Sequence, residues 1–595
     1  MSYTPPVRDH AFVLGEVLKI DRYANLPGFA DAPMDVVNQI LEEAGRFTAE
    51  VLAPLNPVGD KQGCTWSPDH TVKTPDGFKA AYAALVDGGW PALGAVTEFG
   101  GQGLPAVVNL SFSEMSSSAN MAFSMYPGLT HGAYSAILNG GSPEQKALYL
   151  PKLASGQWCG TMNLTEPHCG TDLGLLRTKA VPQADGSYRI TGQKIWISGG
   201  EHDMAENIVH LVLARIEGAP EGTRGISLFI VPKFIPDAEG KPGARNEVFC
   251  AGLEEKMGIH GNATCVIQHE GSTGWLVGEE NRGLALMFVM MNEARIGVGL
   301  QGVAQAEAAH QAAVAFAKDR LQGRSLTGPK NPGGPADPII VHPDVRRILL
   351  DNRAIIEGGR AFLFWTALQG DLAHLSDDEA VRQKADDYMA LLTPVVKGFL
   401  TDRGFKVCSD SLQVHGGSGF TEHFPASQYL RDCRITLIYE GANGVQALDL
   451  VGRKLAANGG RAVMSFFAEV DAFVESKAAV AELKPFLEGL TSAKAQLQDA
   501  TMWLMQNGLA NPDNAGAAST DYMHLFGLTA LAYMWAMMAD TAQAKIAGGD
   551  ADPFYAAKLT VGRHYVERIL PEAGAHLSKL KSGAANLMAL PADAF

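Results

Sequence analysis

A change of hydrophobic period in the middle of the chain restricts the fold more than any other feature. Between about residues 160 and 280 the apolar residues stand in short or alternating runs, the clearest being residues 188–197 (YRITGQKIWI), 208–214 (IVHLVLA) and 226–231 (ISLFIV). Runs of this kind, bounded by glycine or proline as at Gly186, Pro220 and Pro232, are typical of strands. The sequence therefore predicts a β-rich middle domain over residues 161–280.

The regions on either side of this block have the spacing of helices. Val36, Val37, Ile40, Leu41 and Phe47 recur with a period of three to four residues, which indicates an amphipathic helix. After the block, residues 295–320 form a long alanine-rich run, and residues 323–338 hold four prolines and four glycines, which predicts an irregular loop. We expect a short N-terminal docking segment and four domains, with the bounds 1–35, 36–160, 161–280, 281–455 and 456–595.

Composition excludes several classes of protein. The 595 residues carry a formal charge of −16, which argues against binding to nucleic acid or to an anionic membrane. The seven cysteines form no C-x-x-C pair, so neither a metal site nor a disulfide framework is expected, and a reducing, cytoplasmic location is favoured. The most apolar run, residues 525–539, is shorter than the roughly 18–20 residues that span a bilayer, so a buried helix is predicted there.

The stretch of residues 413–443 contains two features that suggest chemistry. A glycine cluster (Gly416, Gly417 and Gly419) follows a helix-like run, and backbone without Cβ atoms lets N–H groups approach a phosphate or a sugar. Glu440 stands alone after the apolar run 435–439, and a carboxylate in an apolar pocket has a raised pKa, as a general base requires. Taken singly, the glycine cluster is more often a plain helix-end turn, and a lone glutamate is more often a helix-end or surface residue.

The two features together resemble the C-terminal signature of the acyl-CoA dehydrogenase family. The matching pattern is Q-x-x-G-G-x-G-F from Gln413, then R-D at Arg431, then I-Y-E-G ending at Gly441, and the resemblance extends over about residues 36–455. It implies an α+β, mostly α fold, with an N-terminal helical domain, a middle β-barrel-like domain and a C-terminal four-helix bundle. An extra C-terminal helical domain follows. It also implies that Glu440 removes the α-proton of an acyl-CoA.

A second motif, LTEPHCGTD from Leu164, resembles the family's other signature, although a capped turn would also suit these residue types. The resemblance implies an FAD site in which Leu164 and Thr165 meet the flavin ring, Met162 is a further cofactor contact, and Thr171 lies near the pyrophosphate and the thioester. The segment from Lys194 to Ser198 resembles the family's W-I-[ST] strand. Trp196 is thereby expected at the flavin edge and the Ser198 hydroxyl at flavin N5, unless Trp196 is simply an aromatic residue of the sheet core.

Further contacts follow from the same resemblance. Arg295, with Asn292 where relatives often carry Asp, is expected near coenzyme A, and Tyr439 and Gly441 near the acyl thioester. Arg320 and Gln322 are expected to reach the flavin of a neighbouring subunit, although an exposed arginine at a helix end is otherwise unremarkable. The remaining cofactor contacts are predicted at Gln413, Gly416, Gly417 and Asn443. This chain departs from the family pattern at three places. Many relatives carry Thr where Ala442 stands and Glu where His423 stands. The loop of residues 323–338 is longer here than in the family's tetrameric members.

Both termini resemble one branch of the family, the 3-methylmercaptopropionyl-CoA dehydrogenases, which also holds broad-range straight-chain enzymes. The resemblance implies oxidation of a short acyl-CoA, 3-(methylthio)propanoyl-CoA above others, with an electron-transfer flavoprotein as acceptor. A flavin oxidase or monooxygenase and a non-catalytic fold member are the rival functions, and Glu440 argues against the latter. The residues after 455 have apolar periodicity and need a surface to cover. We therefore expect a homodimer in place of the tetramer of the family's short members.

Overall fold

The computed structural model of the protein describes residues 3–595, which form two compact units. One unit is Ala44–Gly297, and the other combines Tyr3–Glu43 with Val298–Phe595. The helices Met34–Phe47 and Gly283–Asp319 each run through a boundary between the units. The predicted site residues are therefore divided between the two units.

The first unit begins with the predicted helical region. After the helix Met34–Phe47, in which the unit begins, its helices are Asn56–Gln62, Phe78–Asp87, Ala106–Ala119, Met121–Gly140 and Pro143–Ala154. Ser142 caps the last of them, since its hydroxyl accepts from the Gln145 N–H at 3.2 Å and its own N–H donates to Gln145 Oε1 at 3.0 Å. Two short strands that the sequence did not predict, Thr65–Trp66 and Val72–Lys73, interrupt the helices.

The predicted β-rich domain is confirmed. Its strands are Trp158–Asn163, Lys179–Pro182, Tyr188–Ser198, Asn207–Ile216, Ser227–Pro232, Phe234–Pro236, Pro242–Arg245, Val248–Leu253 and Thr264–Val277. Five of them pair in a closed ring in the order 188–198, 179–182, 207–216, 227–232 and 264–277, the last pairing with the first. Closure leaves no free edge within the ring and gives the barrel-like form. The first strand begins at Trp158, three residues before the expected boundary, because Trp158 pairs in parallel with Asn207.

The strand Asn207–Ile216 explains why the run 208–214 reads as continuously apolar. Val209, Leu211 and Leu213 face one buried cluster, which includes Ile137 and Trp158. Val212 and Ala214 face a second cluster on the other side of the sheet. A strand buried on both faces loses the usual alternation of apolar and polar residues.

The second unit is helical. Its helices are Val7–Ala11, Pro343–Leu375, Glu379–His415, Ala426–Arg434, Asn443–Asp449, Arg461–Lys477, Lys484–Ala510, Pro512–Ala547, Pro553–His564 and Glu572–Lys581, in addition to the shared helices. The helix predicted from residue 295 begins at Gly283, because residues 284–291 (LALMFVMM) are apolar without interruption. Residues 323–338 contain no helix and no strand, which confirms the predicted loop. By length and composition Gly283–Asp319 could cross a membrane, a test that core helices of soluble proteins also pass.

The helix Pro512–Ala547 is a core helix of this unit. Within residues 525–539 every side chain except Met537 is buried, which confirms the predicted buried helix. It lies so close to the helix Glu379–His415 that two glycines are needed. A Cβ at Gly398 would come within 2.3 Å of the Met523 sulfur, and one at Gly527 within 2.2 Å of the Phe399 ring. The extra C-terminal residues therefore cover the dehydrogenase-domain helices directly.

The N-terminal segment packs against residues of the C-terminal region after 455. The Phe12 ring meets the Phe554 ring edge-on with centroids 5.2 Å apart. The Lys558 ammonium, almost fully buried, binds the Asp9 carboxylate and also Glu357 Oε2 at 2.7 Å. Lys558 thus joins three segments that are distant in sequence.

Candidate active site

Two of the predicted site residues have a backbone conformation that side chains other than glycine rarely adopt. Trp196 has φ of 60° and Glu440 has φ of 56°, and only five other non-glycine residues of the described chain share a positive φ. A left-handed conformation costs roughly 1–2 kcal/mol for an L-residue, so it persists only where surrounding contacts fix it. Such strain is concentrated at functional sites, which makes both residues candidates on structural grounds.

In the first unit, the structure brings the two predicted flavin motifs together. The Ile195 N–H donates to the Thr165 carbonyl at 2.9 Å, so the turn after the strand Trp158–Asn163 lies beside the end of Tyr188–Ser198. The Lys194 ammonium reinforces this contact by donating to the Leu164 carbonyl at 3.0 Å. Thr165 and Trp196, which are 31 positions apart in the sequence, thereby become neighbours.

Glu166 and Lys194 form a buried ion pair that the sequence analysis missed. Lys194 Nζ lies 2.9 Å from Glu166 Oε1, and the side chains are 0% and 3% exposed. Burial favours the neutral acid, but the charge of Lys194 and hydrogen bonds from Thr178 and the Arg177 N–H outweigh it and lower the pKa of Glu166. The sequence does contain one sign of this pair, since Lys194 stands at an inward position of the alternating strand Tyr188–Ser198.

The side chains on this face are open to a ligand. The Trp196 ring is 60% exposed, which is unusual for tryptophan. Within residues 3–595 the hydroxyls of Thr165, Thr171 and Ser198 make no hydrogen bond. Met162 is half-buried and Leu164 is buried. An open aromatic plane with uncommitted hydroxyls fits a planar, hydrogen-bonding group such as a flavin, and all six predicted residues lie on the strand ends and the turn.

The same turn holds a group of possible metal ligands. Donor atoms of Glu166, His168 and Cys169 lie within 4.8 Å of one another. Both Glu166 oxygens, however, accept hydrogen bonds from Lys194, Thr178 and the Arg177 N–H. Burial raises the pKa of the Cys169 thiol, so it stays protonated at neutral pH. The donor chemistry therefore suits a structural ion pair better than a bound cation.

The predicted coenzyme A residues lie one turn apart on the helix Gly283–Asp319. Arg295 is 7% exposed, and its Nη1 donates to Asn292 Oδ1 at 3.3 Å. Its guanidinium also lies 5.8 Å from the centroid of the Phe288 ring. Asn292 thus contacts Arg295 through an uncharged hydrogen-bond acceptor.

In the second unit, the residues predicted to reach a neighbouring subunit are exposed. Arg320 and Gln322 follow the end of the helix Gly283–Asp319. Their side chains form no hydrogen bond or ion pair with any residue within 3–595. The Arg320 carbonyl accepts a hydrogen bond from the Ile339 N–H at 2.9 Å. Gln413, Gly416 and Gly417 lie exposed at the end of Glu379–His415. A Cβ at either glycine would meet nothing within 4 Å, so this backbone is open to close approach.

The loop that carries Glu440 is held from beneath by two buried side chains. Gln446 Nε2 donates to the carbonyls of Glu440 and Gly441 at 3.1 and 3.2 Å. The ammonium of Lys397, which is 0% exposed, donates to the Gly441 carbonyl at 2.8 Å. Gly441 has φ of 86°, and a Cβ there would lie 2.5 Å from Gln446 Nε2. Neither Lys397 nor Gln446 was predicted, although a lone lysine in the apolar run 391–400 was visible.

The surroundings of Glu440 differ from the expected apolar pocket. Within this unit Glu440 is half-buried, Ile438 is 51% exposed, and residues 435–437 form a 3₁₀-helix. Tyr439 donates its hydroxyl to Gln301, and burial together with the nearby Glu440 charge raises the pKa of that hydroxyl well above its usual range. The Asn443 side chain is directed inward, toward Lys397 and Asp402.

Comparison with known proteins assigns the chain to a family. Four family models match in order: "Acyl-CoA dehydrogenase, N-terminal domain" over residues 36–157, "middle domain" over 161–272, "C-terminal domain" over 281–455, and "Acetyl-CoA dehydrogenase C-terminal like" over 466–591. The last match covers the predicted extra helical domain.

Similar proteins extend over nearly the whole chain. A 3-methylmercaptopropionyl-CoA dehydrogenase of Ruegeria pomeroyi is 43% identical over 98% of both chains, and a broad-specificity linear acyl-CoA dehydrogenase of Mycobacterium tuberculosis is 35% identical over 96% of both. The crystal structure of a Bacillus anthracis acyl-CoA dehydrogenase complexed with FAD covers 92% of this chain and 88% of its own, with 21% identity and a TM-score of 0.75, which shows a shared fold. The chain therefore belongs to the acyl-CoA dehydrogenase family of oxidoreductases.

Proposed function

We propose that this enzyme removes two hydrogens from the α- and β-carbons of a short acyl-CoA, with FAD as cofactor and Glu440 as the base. The observation that carries the proposal is the Glu440 loop, a strained glutamate at φ of 56° whose carbonyl and that of Gly441 are both fixed by buried donors. A carboxylate held in one position needs little reorganisation when it accepts a proton.

The residues that would hold FAD are those with open, unoccupied hydrogen-bonding groups. Thr165, Thr171, Trp196 and Ser198 would bind the flavin on the first unit, and Gly416 with Gly417 would approach the cofactor. Arg320 and Gln322 would reach the flavin of a neighbouring subunit. When bound, FAD supplies the acceptor for the hydride that leaves the β-carbon. Tyr439 and Gly441 would contact the acyl thioester, while Arg295, oriented by Asn292, would neutralise part of the charge of coenzyme A.

For the substrate, we propose 3-(methylthio)propanoyl-CoA, oxidised to 3-(methylthio)acryloyl-CoA in the catabolism of dimethylsulfoniopropionate. The support is the resemblance at both termini and the full-length similarity to the Ruegeria pomeroyi enzyme. The similarity to the Mycobacterium tuberculosis enzyme supports a second candidate, a broad-range straight-chain acyl-CoA dehydrogenase of β-oxidation. We further propose a cytoplasmic homodimer that passes its electrons to an electron-transfer flavoprotein.

A panel of acyl-CoAs under anaerobic conditions tests this proposal. Bleaching of the flavin absorbance should be fast with 3-(methylthio)propanoyl-CoA and with butanoyl-CoA, because a difference the size of one methylene discriminates by only ~1–3 kcal/mol. Palmitoyl-CoA should react far more slowly. The highest kcat/KM for palmitoyl-CoA would support the broad-range candidate instead. Substrate-dependent oxygen consumption that matches dye-linked turnover would indicate an oxidase.

A further inference from the structure

The Glu440 loop connects to the extra C-terminal domain through polar side chains, of which Lys397 is buried and the others are half-buried. The first link is Lys397, whose ammonium donates to the Gly441 carbonyl and to Asn443 Oδ1, each at 2.8 Å. A fully buried ammonium is stable only where polar groups surround it. The position of Lys397 therefore depends on Asn443 as well as on the loop that it supports.

Asn443 in turn is oriented by Asp402. The Asn443 amide donates to Asp402 Oδ1 at 2.7 Å and to Thr401 Oγ1 at 2.9 Å. With its amide nitrogen facing Asp402, Asn443 presents its carbonyl oxygen to Lys397. The negative charge of Asp402 is thereby placed one side chain away from the buried cation.

The second oxygen of Asp402 binds a residue of the extra domain. His524, on the helix Pro512–Ala547, lies with Nε2 at 3.0 Å from Asp402 Oδ2. A carboxylate only accepts hydrogen bonds, so the proton is assigned to Nε2. The His524 ring also meets the Phe399 ring edge-on, with centroids 5.6 Å apart. The close glycine contacts of Gly398 and Gly527 fix the two helices on either side of this bond.

We propose that His524 is a positioning residue for the catalytic loop, acting through Asp402, Asn443 and Lys397. The extra domain would then supply part of the structure that sets the position of Glu440, in addition to covering an apolar surface. The inference depends on the proposed role of Glu440 as the base, and the two are tested separately below. His524 itself touches no reacting group, so its loss should alter the geometry of proton removal and leave the chemistry otherwise unchanged.

The chain offers a closely matched control in His576. Its ring stacks on that of His524 with centroids 5.2 Å apart, and each histidine side chain is 15% exposed and bound to one aspartate. The partner of His576, however, is Asp521, whose Oδ1 lies 2.7 Å from His576 Nδ1. Asp521 belongs to the helix Pro512–Ala547 of the extra domain, whereas Asp402 belongs to the helix Glu379–His415. Only the His524 partner continues to the Glu440 loop.

The test compares His524→Leu, His576→Leu and His524→Gln in the full-length, FAD-loaded enzyme. His524→Leu should slow flavin reduction by at least about tenfold, because small displacements of a reacting group are costly, with KM and FAD content little changed. The isotope effect for α-deuterated substrate should rise, and amides of residues 438–446 should exchange hydrogen faster. His576→Leu should leave the rate of flavin reduction, the isotope effect and the amide exchange unchanged. His524→Leu and His576→Leu should lower the Tm by similar amounts. His524→Gln, which keeps a donor, should restore most of the rate.

Equal rates, isotope effects and amide exchange in His524→Leu and His576→Leu would overturn the inference. That result would leave the proposed function intact if Glu440→Gln is inactive. Conversely, faster exchange in the loop of His524→Leu alone, combined with an active Glu440→Gln, would uphold the connection to the loop and refute Glu440 as the base.

Discussion

At the scale of single residues, the structure gives Glu440 a conformation that demands an explanation. A left-handed glutamate followed by a left-handed glycine, at φ of 56° and 86°, is an uncommon pair for a plain helix-end turn. Both carbonyls of the pair are bonded inward, to Gln446 and Lys397. The strain is thus offset by contacts that hold this loop in place.

Replacement of Glu440 by glutamine should keep the loop and abolish the base. We expect flavin content and thermal stability to change little, while flavin reduction by substrate slows by ~10²–10⁴-fold, as for loss of a general base. Stopped-flow measurement under anaerobic conditions checks this. Glu422→Gln, at an exposed position of the same unit, is the control and should retain wild-type rates. Near-normal reduction in Glu440→Gln would rule out the assignment.

The geometry of the loop can be tested at Gly441. Gly441→Ala adds a Cβ within 2.5 Å of Gln446 Nε2 at a φ of 86°, so we expect a loss of ~1–2 kcal/mol in unfolding free energy and at least tenfold slower turnover. Gly444→Ala is the matched control, because a Cβ there meets nothing within 4 Å. Denaturant unfolding and steady-state kinetics compare the two. Equal behaviour of both variants would contradict the proposed loop geometry.

At the scale of elements, a buried ion pair helps to join the strand Tyr188–Ser198 to the turn at 164–166. Glu166→Gln should destabilise the protein by ~3–5 kcal/mol, because it leaves the Lys194 ammonium buried without a charged partner. Chemical denaturation measures the loss, and FAD should dissociate more readily because the turn is part of its proposed site. Glu239→Gln, at an exposed position of the same unit, should cost almost nothing. A stable Glu166→Gln protein with tightly bound FAD would contradict this role.

The loop of residues 323–338 is organised by Asp337. Hydrogen bonds from the Ser325, Lys330 and Asn331 N–H groups, with Arg324 adding another, lower the pKa of Asp337 to about 2. Because the folded pKa lies below the ordinary value of 3.8, this stabilisation is complete above pH ~4 and is lost as the pH falls toward 2. Asp337→Asn should therefore loosen the loop at pH 7, seen as faster amide exchange over 323–338. Exposed Asp344→Asn serves as the control, and unchanged exchange in Asp337→Asn would refute the interpretation.

At the scale of the whole molecule, the extra domain bears on the assembly. Its helix Pro512–Ala547 covers the helices Pro343–Leu375 and Glu379–His415, which supports the proposal that this face is closed to a second dimer. The exposed side chains of Arg320 and Gln322 support one two-fold partner. Light scattering should give about twice the chain mass of 63.3 kDa. A mass of four chains would mean that other surfaces form the tetramer.

The sequence alone determined the types of domain, the strand runs, the long loop, the buried helix at 525–539 and the positions of the motifs. These follow from local periodicity and residue type, and the motif at Trp196 and Ser198 lies where the strand pattern predicted. The tertiary structure alone revealed the buried polar residues that hold the site. Lys397 and Gly441 are 44 positions apart, and Asp402 and His524 are 122 apart. Local patterns carry no record of such pairs, because the role of a polar side chain such as Lys397 or His524 is recognisable only once the chain has brought its partner into hydrogen-bonding distance.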